Sequence, residues 1–234
     1  MSSSEHHATL EAHGLSCKFR GRVVIPEQSL RFPRGISLLT GPNGSGKTTL
    51  LNLLAGELDL QAGEVLHHHR RLSRHERIRQ SAYLRQEPTL PLTLSTEGFL
   101  DYAAWLHGLK GPQARTCARD ALSSVGLASH AHLRLKDLSS GMRRRAALAA
   151  QLVKPDFSFL LLDEPTASLD VESRDALHRT VRELAQELIV LVATHDPEDV
   201  ARLGGTVYEL EFGKPLVRTD VDTYLARRRD RHGG

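Results

Sequence analysis

Residues 41–49 read GPNGSGKTT, and they stand between an apolar run, ISLLT at 36–40, and a leucine-rich run, KTTLLNLLAGEL, that starts at Lys47. The order predicts a strand, a glycine-rich turn and a helix, and Gly41–Thr48 satisfies G-x-x-x-x-G-K-[ST] within that context. Glycines let successive backbone N–H groups turn inward around a phosphate, and the N-terminus of the following helix adds its partial positive charge. In this arrangement Lys47 reaches β- and γ-phosphates and the Thr48 hydroxyl can hold Mg2+. Asn43, Gly44, Ser45, Gly46, Lys47, Thr48 and Thr49 are therefore the expected nucleotide-binding residues.

A second stretch says what a bound nucleotide could undergo. FLLLDEP at 159–165 is an apolar strand that ends in two carboxylates. Successive strand residues point to opposite faces, so the two carboxylates have distinct tasks: Asp163 in a Mg2+ shell, Glu164 polarising an attacking water. A third stretch, KDLSSGMRRR at 136–145, opens a helix with Arg143, Arg144 and Arg145 at the end where the helix dipole disfavours cations. Each misplaced charge costs about 0.3–1 kcal/mol, so an anion close by is expected.

Outward from these stretches, the chain reads as a mixed α/β protein. RVVI at 22–25, GEVLHHH at 63–69, FSFLLLD at 157–163 and LIVLVATH at 188–195 are strand-like, and VESRDALHRTVRELAQEL at 171–188 is helical. Residues 88–154 read instead as successive helices with breaks at Gly108–Pro112 and Gly126, a helical insertion in a parallel core. The 31 basic and 28 acidic residues of this 234-residue chain nearly balance, which gives no electrostatic footprint for nucleic acid. Apolar runs stop far short of the ~18 residues needed to span a bilayer, and MSSSEHHATLEA lacks the apolar centre of a signal peptide. A cytoplasmic location follows as the expectation, and Cys17 and Cys117, distant in sequence and in no metal-ligand spacing, fit a reducing compartment. His67, His68 and His69, on a strand, would alternate faces and so would not converge on one ion.

Taken together, GPNGSGKTT, LSSGM at 138–142, LLLDEP and ASLD at 167–170 resemble, in that order, the ATP-binding subunit of ABC transporters. The family's signature is LSGGQ; here Ser140 and Met142 depart from it, while Ser139 and Gly141 are retained. The resemblance covers residues 9–213 and implies a P-loop NTPase core, about 9–87 and 155–213, with a mixed sheet flanked by helices. It further implies a helical subdomain at 88–154, an N-terminal antiparallel β region, and a tail over 214–234. It also implies roles. Gln86 in SAYLRQEP matches the glutamine that reaches Mg2+ and water, His195 in LVATHD the switch histidine on the γ-phosphate, Asp170 the aspartate that communicates across a dimer, and Phe19 in CKFRGR the aromatic stacked on adenine.

In this family two ATPase subunits, identical or paralogous, clamp ATP and Mg2+ head to tail. Ser139, Ser140 and Gly141 of one would contact the ATP held by the other, and the cycle would drive an integral membrane permease docked on the helical lobe. PLTLSTEGFLDYAAWLHGL at 91–109 is similar to a segment of ABC-2 type exporter ATPases, which favours export of a drug, antibiotic, lipid or polysaccharide. The competing expectation is a soluble ABC ATPase acting on ribosomes or DNA. Ribosome-associated members usually carry two cassettes, and DNA-repair members insert a long coiled coil where this chain has about ninety residues between Lys47 and Leu138.

Overall fold

The computed structural model describes residues 9–232. Among these, β1 (Thr9–Phe19), β2 (Arg22–Pro33), β4 (Ala62–His67) and β5 (Arg70–Arg71) form an antiparallel sheet in the order β2-β1-β4-β5. A larger sheet has the order β10-β9-β3-β8-β7-β6, from β3 (Gly35–Thr40), β6 (Ser81–Leu84), β7 (Phe159–Asp163), β8 (Ile189–Thr194), β9 (Thr206–Glu209) and β10 (Val217–Asp220). All its pairings are parallel except β10 with β9.

The central strands of the parallel sheet are buried on both faces, which is why they are continuous apolar runs in the sequence. Their side chains separate by the period of two. Leu39, Phe159, Leu161, Ile189 and Leu191 pack beneath the antiparallel sheet and α1 (Lys47–Ala55), whereas Leu38, Leu160, Leu162, Val190 and Val192 face the remaining helices. On that second side lie α3 (Thr96–Leu106), α4 (Gly111–Ser124) and α5 (Ser140–Leu152), which occupy the interval between β6 and β7, with α6 (Val171–Leu184) and α7 (Pro197–Leu203) completing the layer. The helical segment expected between residues 88 and 154 is thus present, interrupted at the predicted glycines, and α5 returns it to the sheet edge against β6.

Register places the site. Thr40 pairs with Thr194 and Asp163 with Ala193, so β3, β7 and β8 end level with one another. The turn at 41–46, Glu164 and His195 consequently emerge along one edge of the sheet, the carboxyl ends of its strands, where open α/β sheets bind ligands.

Three local readings are corrected. Residues 74–80, unassigned by periodicity, form α2 (Arg74–Gln80), started by a reciprocal cap in which the Ser73 hydroxyl accepts from Glu76 N–H and the Glu76 carboxylate accepts from Ser73 N–H. The residues after Gly213, expected as a tail, pair as β10 and continue as α8 (Val221–His232), because Tyr224 is fully buried and Asp220 caps the helix by accepting from Thr223 N–H at 2.8 Å. The histidine run leaves the strand at His67: His68 and His69 are the two residues of the β4–β5 turn, both left-handed at φ 50° and 59°. Their alternation therefore ends at His67, which is half-buried and bonded to Gln80.

Candidate functional site

The turn after β3 needs glycine for two separate reasons. A Cβ on Gly41 would lie 2.3 Å from the Leu210 carbonyl, so the backbone passes too close to β9's exit for any side chain. Gly46, the N-cap of α1, sits at φ 106°, a conformation costly to other residues, and releases the first N–H groups of α1 toward the turn. Lys47 then opens the helix. Its ammonium is buried, donates to the carbonyls of Gly41 (2.9 Å) and Pro42 (3.2 Å), and stands 3.6 Å from Glu164 Oε1.

The carboxylates diverge as their strand position requires. Asp163 faces α1 and accepts from the Thr48 hydroxyl through Oδ2 at 2.8 Å. Burial pushes its pKa up, against the opposing pull of Thr48 and of the Lys47 and Arg144 cations. Its second oxygen, Oδ1, is buried without a hydrogen-bond partner. An orphaned carboxylate oxygen beside a threonine hydroxyl is a hard oxygen donor set of the kind Mg2+ takes, so the residues present fit that ion. Glu164 turns the other way, with φ at +46°, rare for a side chain of its size. Its N–H is held by the Ala193 carbonyl at 2.9 Å and its carboxylate accepts from His195 Nδ1 at 2.9 Å.

Lys47, Thr48 and Glu164 border a cavity of about 600 Å³ lined also by Asn43, Gly44, Gly46, Thr49 and Gln86 on its polar side, whereas Asp163 and His195 lie outside that lining. Phe19, Val24, Leu58 and Phe212 line the apolar end, where Phe19 is 63% exposed. The strand end that carries Phe19 is pinned by Gln61, whose amide accepts from Lys18 N–H (2.7 Å) and donates to Lys18 C=O (2.8 Å). Ser45 is buried beneath the turn and does not line the cavity.

The remaining expected residues lie away from it. Ser139 N-caps α5, its hydroxyl accepting from Met142 N–H at 3.1 Å, and Ser139 and Ser140 are exposed. Gly141 is buried, and a Cβ there would meet the Ser173 hydroxyl at 2.1 Å, so its missing side chain serves the approach of α6 as well. Met142 packs against the apolar core of the helical lobe. Asp170 N-caps α6, accepting from Ser173 N–H at 2.9 Å. The arginines give their hydrogen bonds to carbonyls: Arg143 donates to Leu138 C=O, Arg145 to Val125 C=O, and Arg144 points inward beneath the carboxylates of Asp163 and Glu164, which are anions of the kind its position suggested. Carbonyl oxygens take up the guanidinium N–H groups, while the nearby Asp163 and Glu164 charges favour the Arg144 cation against its burial.

One group was passed over in the sequence. Asp199 of α7 is fully buried and accepts from His178 Nε2 (2.8 Å) and from the hydroxyls of Thr166 and Thr194 (both 2.6 Å). Burial alone would raise its pKa, but these three hydrogen bonds outweigh it and hold the group below the ordinary aspartate range. Thr194 precedes His195 and Thr166 follows Pro165, so Asp199 ties together the two segments that flank the carboxylate–histidine pair. Nothing in HDPED singled it out, since acidic residues in a first helical turn, here both Glu198 and Asp199, ordinarily serve as dipole partners.

Comparison with known proteins is consistent with this geometry. The family model described as "ABC transporter" matches residues 28–167, more than half the chain. An uncharacterized ABC transporter ATP-binding protein of Haemophilus influenzae is 35% identical over 200 residues, covering 84% of this chain and 79% of that protein. A cytochrome c biogenesis ATP-binding export protein, CcmA, of Nitrobacter hamburgensis is 38% identical over 208 residues, covering 84% and 98%. In structure, a chain of an inward-facing ABC transporter of metal-chelate type superposes with a TM-score of 0.79 over 93% of this chain and 85% of its own, at 21% identity, a likeness of fold.

Proposed function

The chain belongs to the ABC transporter family as an ATP-binding, ATP-hydrolysing subunit, and from that premise we propose that it powers export through a separately encoded membrane permease. The observation that carries the reading is the meeting of Lys47, Thr48, Asp163, Glu164 and His195 at one sheet edge, beside a cavity with an apolar, aromatic end.

The adenine lies against Phe19 and the phosphates lie along the turn at 43–49, where α1 supplies N–H groups and Lys47 a cation. With nucleotide bound, Lys47 exchanges its contact with Glu164 for phosphate oxygen and leaves that carboxylate free. Thr48 and Asp163, with Gln86 from the cavity wall, would hold Mg2+, which would neutralise phosphate charge. Glu164 accepts a proton from the attacking water as its oxygen bonds to the γ-phosphorus and the bond to the β–γ bridging oxygen breaks, releasing ADP and phosphate. His195 donates from Nδ1 to Glu164 and so orients it; Asp199, through Thr194, holds His195 in place.

A second subunit, another copy or a paralogue, closes the site with Ser139, Ser140 and Gly141 at the N-terminus of its α5. Asp170 follows at that interface. Support for a permease comes from the helical lobe, where Leu92, Tyr102, Trp105 and Leu106 are exposed although apolar. A groove at the joint with the core is lined by Tyr83, Arg85, Pro88, His107 and Lys154. Among the described residues no helix is long and apolar enough to cross a membrane; on this reading the permease is what holds the chain at the cytoplasmic face. The relatives named as export proteins support the outward direction.

The test is purification of Glu164→Gln from membranes and in isolation. Retention of a multi-span partner, and dimerisation in Mg-ATP but not Mg-ADP, are expected. Absence of both would contradict the transporter reading.

A further inference from the structure

Of the three consecutive arginines on α5, two serve their own lobe: Arg143 meets Leu138 and Arg145 meets Val125. Arg144 alone crosses to the core. It is 8% exposed, and its guanidinium donates from Nε to Pro165 C=O (3.0 Å), from Nη1 to the carbonyls of Arg85 (2.9 Å) and Gln86, and from Nη2 to those of Asp163 (3.0 Å) and Glu164 (3.0 Å). A guanidinium has five N–H donors, and here each has its own carbonyl. None remains for an anion or a substrate, so this cation has no ligand-binding capacity.

What it holds is informative. Three of the acceptors are the backbone carbonyls of Gln86, Asp163 and Glu164, whose side chains were assigned above to Mg2+ and water. Two chain segments remote in sequence, 85–86 and 163–165, are thereby fixed to one helix, and that helix begins with the LSSGM stretch. Glu164 depends on this more than the others. Its φ of +46° is unfavourable for a non-glycine residue and persists only where the surroundings hold both sides of it. Ala193 holds its N–H, and Arg144 holds its carbonyl.

We propose that Arg144 is a positioning residue that locks the peptide planes of Gln86, Asp163 and Glu164 to α5, so that the hydrolytic placement of Glu164 depends on where the LSSGM helix stands while nucleotide binding at the turn does not. The inference rests on the assignment of Glu164 and of α5 made under the proposed function. It deepens that assignment by giving the chain's own route from the signature helix to the carboxylate.

The experiment compares Arg144→Gln, Arg144→Lys and Arg145→Gln in the full chain, measuring kcat, KM, ATP affinity and melting temperature for each. Arg145→Gln removes a neighbouring guanidinium bonded only inside the helical lobe and reports the effect of loosening that lobe. For Arg144→Gln the expected result is a kcat at least tenfold lower with ATP affinity within twofold of wild type. Arg144→Lys, with fewer donors, should recover part of the turnover, and Arg145→Gln should keep its kcat within twofold even where its melting temperature falls as far. Faster amide exchange over 163–166 in Arg144→Gln would accompany the loss. Arg144→Gln turning over like wild type, equal losses of kcat and affinity, or an equal kcat loss in Arg145→Gln would each overturn the proposal. Should Arg144→Gln not fold, Arg144→Lys carries the comparison, and failure of both to fold would make Arg144 a stability residue and overturn it too. A wild-type chain without Mg-ATP hydrolysis would instead strike the underlying functional reading.

Discussion

Lys47 and Arg144 are both buried cations in the early turns of helices, where the dipole opposes them, yet they solve the problem in opposite ways. Lys47 gives its ammonium to two carbonyls of the turn and stands near a carboxylate at 3.6 Å, an arrangement that can be exchanged for phosphate. Arg144 spends every N–H on carbonyls of two other segments and has nothing to exchange. One cation therefore acts on the ligand and the other on the backbone that presents the carboxylates. A charge at a helix start identifies a ligand site only when its donors are incompletely satisfied by the chain itself.

The comparison can be broken first at Glu164, which both cations serve. Glu164→Gln keeps the shape and the contact with His195 but removes the base, so kcat should fall by about 10² to 10⁴, while Mg-ATP affinity stays near wild type in a filter-binding or calorimetric titration. A rise in KM with kcat unchanged would mean instead that Glu164 acts on binding.

Next in size is the support on the far side of the site. Asp199→Asn leaves one of three donors facing an amide, and urea denaturation should register a loss of roughly 2–4 kcal/mol. The pH dependence has a definite sign. A carboxylate held below its unfolded pKa of roughly 3.9 contributes stability that is present above that pH and disappears as pH falls through the lower, folded value. The gap between wild type and Asp199→Asn should accordingly be present at about pH 5 and close below about pH 4. A gap unaltered by acid would remove the charge from the account of Asp199.

Phe19→Ala tests the apolar end of the cavity. Loss of a stacking face costs about 1–3 kcal/mol per base, which should weaken ATP and ADP alike in fluorescence titrations and leave kcat at saturation unchanged. Smallest is Ser73→Ala, which removes the cap of α2 far from either cation. About 1 kcal/mol of stability should go, with no change in ATP turnover per folded molecule.

Much of this architecture is legible in the sequence because burial on two faces writes continuous apolar runs, as in β3, β7 and β8. Gly41–Thr48 is legible because phosphate binding demands particular residues at fixed spacing. Element α2 was missed since seven residues with four basic or acidic side chains carry no apolar stripe, although Ser73 and Glu76 stand at the spacing of a reciprocal cap. The C-terminal helix was missed for a similar reason: Tyr224 is the one fully buried side chain among those described in it, and several of the others are arginines. Arg144 was beyond reach altogether. Its acceptors are backbone carbonyls, which every residue possesses, so neither Arg85 nor Pro165 needs any particular side chain to serve it.

The division of labour between the two cations is tested most directly by titrating Mg-ATP into Lys47→Gln and Arg144→Gln side by side and following each with a turnover assay. Lys47→Gln should weaken ATP binding at least tenfold, whereas Arg144→Gln should bind ATP within twofold of wild type and lose its turnover. Parallel losses of affinity in the two variants would contradict the account, because they would make Arg144 a second ligand of the nucleotide.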